Sequence, residues 1–544
     1  MHTSRMASPS LLHSRLPYAG HAAIRPVHIL VLLAASFGAV IWGDFLITGH
    51  PATGLQEYLL VLGLWGVASA AFIFTRIQVD PHSLFGLPVF LTLLIFIRFG
   101  LVPLNSFFNP EALSAQFHGQ YNFLVQALVL VALGTLAFWL GIMGLGRRKN
   151  SRHAGTPLPS STGRPVASGL PFELAPSAAP GRTGAIASRD SVLAIATVVY
   201  GVVFATRIYL LHAHLLDYAG SWKAYYANLA SLQVLGVISK LGLCALIVFA
   251  IEKYQHPEDA KRRILFLTVF LSECVWGFIG GNKRPLLQDI FMVALVASSV
   301  RQRTRKVWLL TPFLFLVLFY PLSIGYRTAL RHSGGIANVA DATQLGHEAL
   351  SEMAQKQGGV SGWIKSGWSN AVSRLDLLQS VGLVLSLGTS AKVLQGRERW
   401  WMLPFFPFIP RFAWSRKPVL DAGARFSVLL GYGDRTSTAV TYPGDLYAVY
   451  GWAGVLGGMF LLGLVSQSLT ASLTGPLDKR RLFLYASMFL SVTNMEVDAF
   501  SLWTNLFRNL IIFAAVGLLI YGPRSHSGKP GSVRRKPLPQ RCES

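Results

Sequence analysis

Twelve stretches of mostly apolar residues divide this chain, and no other feature constrains its fold as strongly. A run of roughly 20 such residues matches the hydrocarbon thickness of a bilayer when helical. In lipid, only helices and closed barrels satisfy all of their backbone hydrogen bonds internally. We place the spans at 28–48, 57–75, 84–104, 122–146, 190–212, 232–251, 263–280, 284–300, 306–326, 445–467, 482–500 and 503–522. The expected fold is all-α: a polytopic integral membrane protein of about 12 transmembrane helices with one large outer loop at 327–441. Composition agrees, with 52% hydrophobic and 13% charged residues.

The formal net charge of +24 raises the question of a nucleic-acid partner. Its distribution answers no. With the N-terminus inside, 28 of the 48 Lys and Arg fall in segments expected to be cytoplasmic, against three (Lys223, Lys283, Arg284) in the short outer loops. That asymmetry is the positive-inside signature, and both termini are expected to be cytoplasmic. Arg5, Arg15 and Arg25 precede an apolar run without a small-residue cleavage site, so the first span is expected to remain uncleaved. The chain thus divides into helices one to four (1–146), a Ser/Pro/Gly/Arg-rich connector expected to be disordered (147–189), helices five to nine (190–326), the outer loop (327–441), helices ten to twelve (442–522) and a disordered tail (523–544). Within the loop, the apolar run 377–394 is interrupted by Gly and Ser. A single extra crossing would place Lys479, Arg480 and Arg481 outside, so a re-entrant or surface-lying helix is expected there.

Three cysteines are too few for a disulfide scaffold, and neither CxxC nor HExxH occurs. No metal set is expected. Charges inside the spans are Asp44, Arg98, Arg207, Lys240, Glu273, Asp289 and Arg508. Such groups are costly in lipid and pair with one another or face a wet cavity. The outer side is richer in chemistry. In the stretch 405–451, aromatics and prolines surround Arg411, Arg416 and Lys417 ahead of an apolar helix. Rings at headgroup depth beside cationic heads suit a membrane-surface site for an anionic group. Arg284, Arg327, Arg331 and Arg374 lie on the same side. Guanidinium forks bind phosphate oxygens in pairs and Lys adds a point charge. Carboxylates available to deprotonate a hydroxyl there are Asp376, Asp421, Asp434 and Asp445, of which Asp376 and Asp445 are the leading candidates. Asp445, beside Tyr442, also suits the first turn of a helix, and Asp376 could pair with Arg374 or a more distant Arg.

Three patches resemble the bacterial O-antigen polymerase (Wzy-type) family of oligosaccharide repeat-unit polymerases: GGNKRPLL at 280–287, FIPRFAWSRKP at 408–418 and TYPGDLYAVYGWAGVLGGMFLLGL at 441–464. Many spans with one large late outer loop match that family's layout too. The resemblance implies glycosyl transfer on the outer face of a bacterial inner membrane. A growing glycan leaves its polyprenyl diphosphate and joins a sugar hydroxyl of a new lipid-linked repeat unit. Arg284, Arg411 and Lys417 then become diphosphate-side residues, with Arg327, Arg331, Arg374, Arg416 and Tyr442 as further substrate contacts. The leaving group is already activated, so no cofactor is needed. Implied partners are the polyprenyl-diphosphate-linked oligosaccharide, membrane lipids, a flippase and chain-length regulators. One departure is the lack of an Arg followed eleven residues later by Gly in the loop, a spacing that some members carry.

An O-antigen ligase, which moves the same donor's glycan to another acceptor, and a lipid-linked-sugar transporter are the alternatives. Topology tests the frame common to all three. Reporter fusions after residues 160, 350 and 535 are expected to read inside, outside and inside. A cytoplasmic signal at 350 would invert the arrangement and remove any outer-face chemistry.

Overall fold

The computed structural model describes residues 54–79, 86–105, 121–153, 189–216, 229–280, 283–301, 339–356, 375–394, 437–472 and 478–522, with most of 400–431, parts of 322–330 and residue 362. The expected first span (28–48), most of the ninth (306–326) and the tail from 523 lie outside them, as does the connector beyond 153 and before 189. Among the described residues every regular element is helical.

Among the described residues, seven helices are long and apolar enough to cross a membrane. They are α1 (Gly54–Val79), α2 (Leu87–Phe96, continued to Leu104), α3 (Tyr121–His153), α4 (Arg189–His212), α5 (Leu229–Gln255), and the later α11 (Tyr442–Ala471) and α13 (Ala499–Tyr521). α6 (Ala260–Ile279) and α7 (Lys283–Arg301) have comparable lengths but carry more charge. α12 (Lys479–Thr493) has 15 residues. The shorter α8 (Val339–Lys356), α9 (Leu378–Leu387) and α10 (Ala422–Leu429) come from the expected loop.

Two boundaries differ from the sequence expectation for physical reasons. The span placed at 482–500 ends at Thr493, because Asn494 leaves the helix and Asp498 caps α13 through the Ser501 N–H at 2.7 Å. α3 runs on to His153, past the expected start of the connector at 147.

The largest change concerns the span placed at 445–467. Gly451, with φ 64°, breaks α11 in two. The pieces fold back on each other. A methyl group on Gly454 would meet Tyr450 and the Leu446 carbonyl, one on Gly458 would meet Leu446, and the Tyr442 hydroxyl donates to the Gly458 carbonyl at 2.9 Å. Those pairings are the contacts of an antiparallel hairpin, so 442–450 is a short buried helix and 452–471 is the long one. Only Gly adopts such a reversal without steric cost.

α2 departs from regularity as well. Pro103 has no N–H to give the Phe99 carbonyl and its ring crowds that group. The helix widens into a π turn over Ile97–Leu101 and tightens into a 3-10 turn at Val102–Leu104. The Gly100 carbonyl accepts from the Tyr58 hydroxyl at 2.7 Å.

Packing inside lipid lacks the hydrophobic driving force of water, so close backbone approach through small residues supplies the attraction. α3 and the long part of α11 run in the same direction and touch through glycines. A methyl group on Gly141 would strike the Phe460 carbonyl, one on Gly463 would strike the Phe138 carbonyl, and one on Gly134 would stand 3.2 Å from Val455 and Met459. The apolar core is continuous from α1 through α13 around this pair, while a smaller cluster joins the ends of α4 and α6 to α8 and Tyr326. One end of the bundle collects basic residues. There Glu252 at the end of α5 accepts from Lys479 at 2.6 Å and lies 3.7 Å from Arg262, and Arg301 stands over Tyr254.

Gly141→Val and Gly463→Val are each expected to cost at least about 1–3 kcal/mol, the usual cost of overpacking. Gly457→Ala, with nothing within 4 Å of its added methyl group, is expected to be neutral or mildly stabilising. Thermal unfolding of the purified protein in detergent measures all three, and equal melting temperatures would contradict the glycine contact.

Candidate functional site

At the end of the bundle opposite the basic one, the chain turns from α12 into α13 through residues 494–498. Each short or broken element nearby is tied to this turn. The Tyr442 N–H donates to the Met495 carbonyl at 3.0 Å. Thr441, held at φ 71° where a β-branched residue is strained, accepts from the Gly444 N–H at 3.2 Å and caps the short helix 442–450. The buried Asp445 carboxylate accepts from the Ala499 N–H at 2.9 Å, satisfying a donor at the start of α13.

A second tie comes from α2. Arg98, set in the π turn, pairs with Glu496 at 2.6 Å, its own side chain 9% exposed and that of Glu496 37%. The Arg98 Nε also donates to the Leu375 carbonyl at 3.3 Å, and the Arg98 carbonyl accepts from the Leu377 N–H at 3.2 Å. Asp376, between those two residues, caps α9 by accepting from the Leu378 and Gln379 N–H groups at 3.1 and 3.3 Å. α9 has 10 residues, about 15 Å of helix against the roughly 30 Å of a hydrocarbon core. It does not cross. Gly388, at φ 53°, ends it, and its Val381 and Val384 lie against Gly444.

The third tie is aromatic. Phe500, the residue after Ala499, packs edge-on against Phe406 with centroids 5.3 Å apart and against Trp400 at 6.0 Å. Lys417 stands over the Phe406 ring at 4.6 Å and donates to the Ile409 carbonyl at 2.8 Å, which leaves the residue only 6% exposed. Trp414 closes on Phe406 from another side. A buried ammonium on an aromatic face is a cation site with part of its hydration already removed.

The sequence candidates therefore sort as follows. Asp376, Asp445, Lys417 and Tyr442 gather around the turn. Tyr442, expected to contact substrate, is fully buried with its hydroxyl committed to Gly458, so its part is to shape the helix reversal. Asp376 and Asp445, expected as bases, both accept backbone N–H groups at helix starts. Asp421 pairs with Arg425, which also donates to the Leu394 carbonyl and fastens α10. Arg416 is exposed beside Lys417, and Arg327 follows Tyr326 in the smaller cluster. Arg331, Arg374, Arg411 and Asp434 lie outside the described residues, as does the side chain of Arg284. Two members of the site are not among the sequence candidates: Arg98, which stands there as one span charge among several, and Glu496. The rule that ionisable groups in spans seek partners would have singled out Arg98.

Arg98→Ala removes the tie between the π turn, the Leu375 carbonyl and Glu496 and is expected to cost about 2 kcal/mol. Hydrogen exchange should then show 375–387 losing protection while α5 keeps its own. Unchanged protection in α9 would contradict the tie.

Comparison with protein-family models, with curated proteins and with solved structures finds no match for this chain.

Proposed function

We propose that the chain polymerises polyprenyl-diphosphate-linked oligosaccharide repeat units into a surface polysaccharide on the outer face of a bacterial inner membrane. The basic end of the bundle is then cytoplasmic and the turn at 494–498 faces outward. The observation that carries this reading is the meeting of a buried ammonium (Lys417) on an aromatic shelf with the Arg98–Glu496 pair at one end of an apolar bundle. Cations there suit a diphosphate whose lipid tail stays in the bilayer, and the shelf suits the lipid–water boundary. The sequence likeness at 408–418 and 441–464 falls on this same region.

In this reading Lys417, with Arg411 and Arg416 from the same stretch, holds the diphosphate as its charge grows. The acceptor hydroxyl oxygen bonds to the donor's anomeric carbon, the bond from that carbon to the diphosphate breaks, and the hydroxyl proton passes to a carboxylate. Glu496 is the best placed to take it, because Arg98 orients its carboxylate while the side chain stays partly exposed. Asp445 and Asp376 set the backbone around it. Catalysis then rests on positioning and on stabilising the departing charge, with no cofactor required.

Transport of a lipid-linked glycan is the second reading, and one observation favours it: α9 and the reversal at Gly451 are discontinuous helices of the kind that line substrate paths. Loss of the gene separates the readings. A surface-glycan ladder collapsing to one repeat unit is expected for the polymerase. Repeat units failing to reach the outer face would indicate transport, and an unchanged ladder would exclude both.

Arg411→Ala is expected to abolish polymer at near-normal protein abundance, and Arg411→Lys to restore it in part, because Lys keeps the charge without the planar two-donor fork. One lost charge-stabilising donor corresponds to roughly 10² in rate. Full-length glycan from a stably expressed Arg411→Ala protein would refute this assignment.

A further inference from the structure

A second charged cluster lies between α4, α5, α6 and α7, away from the site just described. Arg207 on α4 grips Glu273 on α6 in two-pronged fashion, NH1 to Oε1 at 2.5 Å and NH2 to Oε2 at 2.9 Å. Its remaining donors turn to α5, Nε to the Ser239 hydroxyl at 3.3 Å and NH2 to the Ser239 carbonyl at 3.2 Å. Gly242 lets the pair lie against the α5 backbone, since a methyl group there would stand 2.7 Å from Glu273 Oε1 and 2.8 Å from Arg207 NH2. The guanidinium is engaged by one carboxylate and by Ser239.

Asp289 on α7 is the other carboxylate within electrostatic reach of that pair. It is 2% exposed, and its Oδ2 is buried with no hydrogen-bond partner. The groups around it do not neutralise it. From α6 come Glu273 and the thiol of Cys274; from α5, on the side of the Arg207–Glu273 pair, come the buried thiol of Cys244 and the exposed Lys240; from α4 come Arg207, already paired, and Tyr200, whose hydroxyl lies with Glu273 and Ser272. The charges of α12, which packs on α7 as well, sit at its start in Lys479, Arg480 and Arg481, and Lys479 is held by Glu252. One guanidinium therefore faces two carboxylates. A second carboxylate left charged and uncompensated in an apolar bundle is strongly disfavoured.

We propose that Asp289 is the binding carboxylate for one exchangeable monovalent cation, H⁺ or Na⁺, within the α4–α7 part of the bundle. The cation brings the cluster to neutrality. A proton needs only Oδ2 itself, whereas Na⁺ would draw oxygen ligands from Asp289 and from neighbouring oxygen atoms. Because the site is formed by four helices that come together only in the folded chain, occupancy stabilises the fold by mass action.

The test compares wild type and Asp289→Asn, an uncharged near-isostere, as full-length proteins in detergent. For a proton site, wild-type stability relative to the variant falls as pH rises without Na⁺, because the folded state holds a proton the unfolded chain gives up. For a sodium site, the wild-type melting temperature rises with NaCl and not with choline chloride, each tenfold step above the dissociation constant adding about 1.4 kcal/mol, and the variant does not respond. Parallel responses of the two proteins to both titrations would overturn the site. If Asp289→Asn does not accumulate, dicyclohexylcarbodiimide labelling of wild type, mapped by mass spectrometry, decides alone. An adduct on Asp289 that grows on acidification or recedes with Na⁺ supports the site, and no adduct on Asp289 under any of these conditions overturns it.

Discussion

The turn between α12 and α13 takes up hydrogen bonds from the short helix 442–450, from the start of α13 and from the π turn of α2. A continuous transmembrane helix satisfies its own backbone, but a helix that starts or stops inside an apolar bundle leaves N–H and C=O groups with no water to take them. Here the Tyr442 N–H finds the Met495 carbonyl, the Ala499 N–H finds Asp445, and the Ser501 N–H finds Asp498. Arg98 then joins the π turn of α2 to the same five residues through Glu496. Remove the turn and the short helix 442–450, the start of α13 and the π turn of α2 lose partners at once. Irregular backbone of this sort is tolerable only where protein or a lined cavity covers it, which is why the interruptions cluster and do not scatter along the spans.

Glycine makes the clustering sterically possible in two different ways. At Gly451 it supplies a positive φ, letting 442–450 double back on 452–471. At Gly141 and Gly463 it supplies proximity, letting α3 and α11 approach until each α-carbon lies against the other helix's carbonyl. The two effects are coupled. Because α11 is clamped along α3, the folded-back piece cannot straighten without dislodging Tyr442 from Gly458 and Asp445 from Ala499.

Among the described residues, the existence of the long helices was legible in the sequence, because long apolar runs have few alternatives in lipid. Helix breaks were not. The run from Tyr442 to Leu464 contains good helix formers on both sides of Gly451 and five glycines after Gly444, so nothing local distinguishes the one that reverses the chain from those that merely lie against a neighbour. The site was half legible for a related reason. Lys417 and its aromatics are contiguous in sequence and announce themselves, whereas Arg98 and Glu496 are 398 residues apart and meet only through the tertiary fold. Asp445 and Asp376 were found by charge and position, but sequence could not separate a carboxylate that caps a helix from one that takes a proton, since both favour a helix start.

Two arginine–glutamate pairs, placed differently, show how burial changes what a charge can do. Arg207–Glu273 is closed, with both carboxylate oxygens and the guanidinium occupied, and its side chains are 10% and 4% exposed. Arg98–Glu496 is open on one side, since the arginine is covered while the glutamate is partly accessible. A closed pair rarely adds net stability over an apolar replacement of the same shape, but it fixes charge in place and leaves any further carboxylate beside it in need of a counter-charge. An open pair presents an oriented carboxylate to whatever approaches from the surface. The same two residue types therefore build, in different surroundings, a sealed charge pair and a pair whose carboxylate stays open on one side.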